Sequence, residues 1–183
     1  MFTLPPLAVQ CEAEGMHIRD AAETDAQAIA AIYAHHVLHG TASYDIEPPP
    51  AEFHRDKIRS VVDAGWPFLV AEEDGEVAGY AYATQMRPRA AYRFTAEDSI
   101  YVHPARMRRG VGRTLLSALI ERSARCGFHA MIAVIGGAEP ASIGLHSALG
   151  FTEAGRLRAV GFKFGRWLDS VYMQRDIAAG DRG

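Results

Sequence analysis

Two glycines and four arginines fall together in the run Arg106-Met107-Arg108-Arg109-Gly110-Val111-Gly112-Arg113. Here an alternating, strand-like stretch (Glu97 to Val102) hands over to a helix-like one (Gly112 to Arg125). The first four N–H groups of a helix lack intrahelical partners, and the helix dipole adds partial positive charge there. Gly110 and Gly112 carry no side chain to hold a ligand away from those amides. Arg106, Arg108, Arg109 and Arg113 add positive charge around them. Strand, glycine turn and helix together make the layout of a phosphate cradle. It is not a P-loop, because no Gly-Lys-Ser/Thr follows. It is not a dinucleotide fingerprint, because Leu115 stands where a third glycine belongs. On the glycines alone, a plain strand-to-helix turn with a solvated basic face is an equal reading.

Other residues suit proton and carboxylate chemistry. Glu97 leads the strand into this loop, where it is either a proton acceptor or an ordinary surface carboxylate. His146 can titrate near neutral pH and so act as acid or assist as base; equally, it is a helix histidine that caps or packs. Arg87 and Arg89 flank Pro88, with Tyr92 and Arg93 close by. A guanidinium fork holds a carboxylate through two hydrogen bonds; otherwise this is a solvated basic loop. His35, His36 and His39 lack a carboxylate or cysteine partner at metal spacing, so no metal site is expected. Phe162, Phe164, Trp167 and Tyr172 are expected to pack on a sheet, or else to line a pocket or a dimer seam.

The surrounding pattern gives the elements that position these groups. Met16–Arg19 reads as a short strand. Thr24 and Gln27 have capping-box spacing at a helix start, and Ala26, Ile29, Ala30, Tyr33 and Val37 follow at helical spacing. The run HGTASYDIEPPP is a loop, since three consecutive prolines do not continue a helix. Phe53, Ile58, Val61 and Val62 make a second amphipathic helix that Gly65 ends. Two apolar runs around Asp74-Gly75 make a hairpin. After the strand EDSIYV and the Gly112–Arg125 helix come a buried strand HAMIAVI and a short helix from Pro140 to Leu149. Strands over roughly Thr152–Phe162 and Leu168–Arg175 follow. The order β-α-α-β-β-β-α-β-α-β-β predicts a mixed sheet with helices on its faces.

The chain's 183 residues, 49% of them hydrophobic, suit one domain with a proper core. Nineteen basic and 22 acidic residues give a net charge of −3, which argues against a general nucleic-acid binder. Cys11 and Cys126 have no CxxC partner, and a reducing, cytoplasmic setting is expected. Residues 1–15, broken by Pro5 and Pro6, read as a flexible extension, residues 16–178 as the folded domain and 179–183 as a flexible tail. No apolar run approaches the roughly 20 residues that span a bilayer, so no membrane partner is expected.

The stretch VHPARMRRGVGRTLLSALI resembles motif A of the GCN5-related N-acetyltransferases (GNAT), with Met107 where the motif carries Gln or Arg. The blocks TASYDIEPP, RPRAAYRFTAEDSIYVHP, SIGLHSALGF and VGFKFGRWLDSVYMQR are similar to the phosphinothricin and methionine sulfone/sulfoximine acetyltransferase group. The likeness runs from about Ile18 to Ile177. It implies a single α/β (α+β) GNAT domain, its mixed, mostly antiparallel sheet flanked by about four helices. It implies acetyl transfer from acetyl-CoA to the α-amino group of a small amino acid or analogue, with no metal, in a homodimer. The same resemblance implies that the backbone of Arg108, Arg109, Gly110, Val111, Gly112 and Arg113 holds the pyrophosphate. Ile100, Tyr101 and Val102 would line the pantetheine cleft. Glu139 occupies a cofactor-contact position that is usually Asn, and a carboxylate does not donate as an amide does. Glu97 would be the base that meets the amine, and His146 would stand where the superfamily's acid for the CoA sulfur stands. Arg87, Pro88, Arg89 and Tyr92 would contact substrate. Alternatives are acetylation of a peptide N-terminus or another amine, such as a polyamine, and a non-catalytic acetyl-CoA-binding module. A polyamine pocket should carry carboxylates, whereas this chain offers arginines.

Overall fold

The structure, a computed structural model, describes residues 15–178. The expected extension, apart from Gly15, and the expected tail lie outside the described residues. Seven strands form one sheet in the order β1-β2-β3-β4-β5-β7-β6. In chain order the elements are β1 (Met16–Asp20), α1 (Ala26–His39), α2 (Ala51–Asp63), β2 (Phe68–Glu73), β3 (Glu76–Gln85), β4 (Thr95–Val102), α3 (Val111–Arg125), β5 (Ala130–Gly136), α4 (Pro140–Ala148), β6 (Thr152–Lys163) and β7 (Arg166–Asp176). This is the expected order. Every neighbouring pair is antiparallel except β4–β5, which is parallel and connected through α3.

Alternation along the strands divides the core in two. On one face, Ile29, Ile32, Ile58 and Val61 of α1 and α2 pack on Phe68, Val70 and Tyr80. On the other, Val111, Leu115, Leu116 and Leu119 of α3 cover Leu69, Ala81, Ala96 and Met131, with Ile143 and Leu145 of α4 alongside. The β2–β3 hairpin turns at Asp74-Gly75, both at positive φ (55° and 78°), the pairing that favours Asp-Gly in a two-residue hairpin turn.

Two local expectations are corrected. In α2 the buried stripe is His54, Ile58 and Val61, at i, i+4 and i+7. Phe53 and Val62 flank that stripe and are half exposed. At the start of α1, Thr24 and Gln27 do not form the capping box. Residues Glu23–Asp25 make a 3-10 turn instead, and Asp25 supplies the carboxylate. It accepts the Ala22 N–H at 2.8 Å and both Nη groups of Arg19 at 2.8 Å, while the Nε of Arg19 donates to Glu72 at 2.8 Å. One buried carboxylate thus joins β1, β2 and the entry to α1. Capping-box spacing allows such a turn without deciding which acceptor wins.

Burial works to raise the Asp25 carboxyl, but the Arg19 guanidinium and the Ala22 amide outweigh it and hold it below the ordinary carboxylate range. A depressed carboxylate adds stability above its unfolded pKa of about 3.9, and that stability is lost as pH falls through the folded value. Asp25→Ala should therefore cost about 2 kcal/mol at pH 7. In calorimetry this reads as a Tm lower by roughly 4–8 °C. The gap between variant and wild type should close as pH drops below about 4.

Candidate active site

The parallel pairing of β4 with β5 runs only from Thr95↔Ala130 to Asp98↔Ala133. Both strands continue, β4 to Val102 and β5 to Gly136, but they part. A cavity of about 490 Å³ opens at the fork. Its walls include Glu97, Ile100 and Tyr101 from β4, Val134 and Ile135 from β5, Glu139, Ser142 and His146 around α4, and Tyr44 from the α1–α2 loop.

Glu97 and Asp98 are neighbours on β4, so they project to opposite faces of the sheet. Tyr101, two turns of alternation from Glu97, packs with the α1–α2 core, whereas Ala96, Ile100 and Val102 belong to the α3–α4 side. Because the strands have separated, groups from both faces reach one cavity. Glu97 is partly buried, and an Nη of Arg87 lies 3.8 Å from its carboxylate. Burial pushes the Glu97 carboxyl above its ordinary range; Arg87 pulls it down, Asp98 next door pushes it up, and Lys57 pulls it down.

His146 is 2% exposed. Its Nδ1 lies 2.7 Å from the Ser142 carbonyl. A carbonyl only accepts, so Nδ1 carries a proton. Its Nε2 faces Asp98 Oδ2 at 3.2 Å. Burial opposes the charged ring and is the largest single influence. The hydrogen bond and charge of Asp98, with the Ser142 carbonyl, outweigh it and raise the imidazole above its ordinary value. Asp98 is itself buried, and sequence reading overlooked it. The signal was there: Asp98 alternates with Ala96, Ile100 and Val102, three apolar residues of one face.

The glycine loop leads into α3, whose Gly112 approaches Val102 of β4 and Leu145 of α4. Arg108 (φ 60°) and Gly110 (φ 88°) bend it back, and Gly110 is the left-handed N-cap of α3. The first intrahelical bond is Thr114 N–H to the Gly110 carbonyl at 3.1 Å, which leaves the Val111, Gly112 and Arg113 amides as the helix's leading donors. The Val111 side chain is buried, so that residue offers a ligand only its backbone. At Gly112 a Cβ would meet Leu145 Cδ2 at 3.3 Å and Val102 Cγ2 at 3.5 Å, because α3, β4 and α4 converge there. The arginines divide. Arg106 pairs with Glu73, N to O 2.8 Å, and lies 3.6 Å from both Asp74 and Glu76, and Arg109 leans on Glu73 at 3.5 Å. Arg106 thus serves the β2–β3 hairpin, not the cradle. Arg108 and Arg113 are exposed at the loop.

The remaining expected residues are placed as follows. Pro88 and Arg89 are exposed in the connection before β4, and Tyr92, 41% exposed, ends a 3-10 turn there. With Arg87 they lie outside the cavity wall, and Arg87 alone approaches Glu97. The Val102 carbonyl accepts from Nε2 of His36 at 2.9 Å, an interaction not legible in the sequence. Burial holds His36 below its ordinary imidazole value, so a neutral Nε2–H tautomer fits that bond. Glu139 is exposed at the N-cap of α4 and lines the cavity. Tyr172 also lines it, whereas Phe162, Phe164 and Trp167, expected to pack on the sheet, are 58%, 55% and 65% exposed.

Comparison with known proteins agrees with this geometry. The acetyltransferase (GNAT) domain family matches residues 18–172. A phosphinothricin N-acetyltransferase of Alcaligenes faecalis is 53% identical over 90% of this chain and 84% of its own length. The L-methionine sulfoximine/L-methionine sulfone acetyltransferase of Salmonella typhimurium is 44% identical over 88% of this chain and 95% of its own. The crystal structure of a phosphinothricin acetyltransferase from Sinorhizobium meliloti in complex with acetyl-CoA superposes with a TM-score of 0.87 at 46% identity, covering 90% of this chain and 89% of that one. A forked sheet, a glycine turn at the α3 start and matches over nearly the whole folded chain lead to one conclusion: this protein belongs to the GNAT acetyltransferase family.

Proposed function

We propose that this protein transfers the acetyl group of acetyl-CoA to the α-amino group of a small amino acid or analogue, with phosphinothricin, methionine sulfone and methionine sulfoximine as the leading substrates. One observation carries the reading: a carboxylate and an imidazole from opposite faces of the sheet line a single cavity where β4 and β5 part. The amine and the thioester need such groups on opposite sides of the reacting carbonyl.

The substrate's α-ammonium must lose a proton before it attacks. Glu97, raised by burial toward working pH, takes that proton directly or through water. Arg87, 3.8 Å from Glu97, puts a cation beside the base. A zwitterionic amino acid is the complement of that pair, its ammonium toward Glu97 and its carboxylate toward the guanidinium. Pro88, Arg89 and Tyr92 border the same approach. The parted end of β4, Ile100 to Val102, offers backbone groups to the pantetheine arm and thioester oxygen. The loop amides from Arg108 to Arg113 take the pyrophosphate. Glu139 lies on that route and accepts hydrogen bonds only. His146 supplies the proton that the departing CoA sulfur takes. Acetylation of the amine of a toxic analogue would abolish its likeness to an amino acid, so resistance to such compounds is the effect we assign. Exposed Phe162 and Trp167 on β6 and β7 support a homodimer. Cys126, an exposed free thiol, supports a reducing, cytoplasmic setting.

A thiol-release assay over the three analogues, common amino acids, their carboxamides and a polyamine tests the reading. Turnover should favour free amino acids over carboxamides, and Arg87→Ala should lose most of that preference with little change in KM for acetyl-CoA. CoA binding without turnover of any amine would leave a binding module instead. Gly110→Val should raise KM for acetyl-CoA strongly, because φ 88° is strained for a β-branched residue and the cradle must distort. Glu97→Gln should slow the chemical step by roughly 10²-fold or more. That loss should shrink as pH rises and more amine is already neutral. His146→Asn should cost less at high pH, where a thiolate leaves without a proton. A near-normal Glu97→Gln enzyme at pH 7 beside an inactive His146→Asn enzyme would make His146 the base.

A further inference from the structure

Asp98 has no part in the chemistry above, yet it is the best-placed charge beside His146. Its Oδ2 lies 3.2 Å from Nε2, both side chains are almost fully buried, and its Oδ1 is buried without a hydrogen-bond partner. The Ser142 carbonyl accepts a hydrogen bond from Nδ1–H at 2.7 Å. A neutral imidazole has only one N–H. With that proton at Nδ1, the Nε2 lone pair would face a buried carboxylate, which is repulsive. A proton at Nε2 relieves this and turns the contact into a charge-assisted hydrogen bond.

We propose that Asp98 is a positioning residue that keeps His146 doubly protonated and fixes its ring at the floor of the cavity. This rests on the acetyltransferase reading and deepens it. Forming the amide from an ammonium releases two protons. One leaves with Glu97 for solvent; as the C–S bond breaks, the Nε2 proton leaves its bond to Asp98 for the departing sulfur, and the second amine proton is the one that restores it. His146 is then neutral with its lone pair toward Asp98, an arrangement that draws a proton back and resets the site. A free imidazole would be mostly neutral at the mildly alkaline pH where the substrate amine becomes nucleophilic. Asp98 removes that conflict.

The groups that bear on His146 are few. On β4 they are Asp98 and, on the far face, Glu97; on α4, Glu139 at its start; and on β7, Tyr172, all lining the same cavity. Arg175 of β7 donates to the Leu149 carbonyl just beyond α4. Phe151 packs edge-on against the ring at 5.0 Å and carries no charge. Asp98 is the charge hydrogen-bonded to it.

Two readouts test the proposal. In histidine-labelled wild-type protein without substrate, NMR should show the His146 ring, assigned by its loss in His146→Asn, still protonated at both nitrogens above the ordinary midpoint of about 6.5. Asp98→Asn keeps the shape and an acceptor oxygen but removes the charge, and its His146 should titrate at lower pH. In turnover, Asp98→Asn should lose about tenfold in kcat at pH 8, with the loss narrowing toward pH 6 and KM for acetyl-CoA nearly unchanged. In a His146→Asn background it should cost nothing further. A wild-type His146 that is neutral throughout pH 6–8 overturns the proposal, and that measurement stands even where Asp98→Asn does not fold. An Asp98→Asn loss that is the same at every pH makes the pair a structural anchor and equally overturns it. Failure of every amine to be acetylated by wild type would instead sink the functional reading, while the NMR titration would still decide the state of His146.

Discussion

The parting of β4 from β5 after Asp98 and Ala133 is the constraint on which the rest of this molecule depends. In a continuous sheet the two faces are insulated from each other by a hydrogen-bonded backbone, and a strand's backbone groups are consumed by its neighbours. Here β4 keeps its β3 partner through Val102, while its other edge is released for four residues. The fork creates both a cavity and a short strand edge inside the protein. An exposed edge of that kind invites a partner. β5 meanwhile keeps its outer edge paired with β7 throughout, from Ala130↔Asp176 to Gly136↔Ser170.

The same fork puts two adjacent acidic residues in different surroundings. Glu97 and Asp98 share a peptide bond but meet different surroundings. Glu97 looks toward the α1–α2 face, where burial raises its carboxyl and a single, half-exposed arginine partly offsets this. Asp98 looks toward α4, where an imidazole sits against it, nearly free of solvent. A carboxylate with its partner at 3.8 Å can change protonation state. Asp98 instead sits 3.2 Å from the buried ring of His146. Alternation along one strand thus sorts two carboxylates of similar chemistry into two unlike environments.

Most of the element order was legible because it rests on local signals: Asp-Gly at the hairpin, triple proline after α1, glycines after α2 and α3, and the switch from period two to helical spacing at the arginine loop. The departures share one cause. Thr24 and Gln27 had the right spacing for a cap, but Arg19 and Glu72, distant in sequence or on another strand, recruit Asp25 instead. Phe162, Phe164 and Trp167 carry strand propensity, which says nothing about whether anything covers them, and here β6 is the outermost strand. At the site, Glu97, His146 and Arg87 stood out by type, and the cavity does gather the first two. Asp98 did not stand out, since an acid beside an acid in a strand reads as solvated surface until its face is known.

The far wall of the cavity makes the same point in its strongest form. The α1–α2 loop reads only as a loop, yet it is strapped across the ends of β5, β6 and β7. The Tyr44 hydroxyl donates to the Asp169 carbonyl at 2.7 Å and accepts from Ser170 Oγ at 3.0 Å and Gly137 N–H at 3.2 Å. Its ring lies so close to Gly136 and Gly161 that a Cβ would fall 3.0 Å from it at the first and 2.7 Å at the second. Lys163, buried at the end of β6, donates to the Ser43 carbonyl at 2.7 Å. These partners are about 90 to 130 residues apart, so no window of sequence contains both ends of any one contact. The glycines that admit Tyr44 look like ordinary strand glycines, and the lysine looks like a solvated turn residue. Their meaning comes from the loop that lands on them. That loop supplies Ala42, Ser43 and Tyr44 to the wall of the cavity that also holds Glu97 and His146.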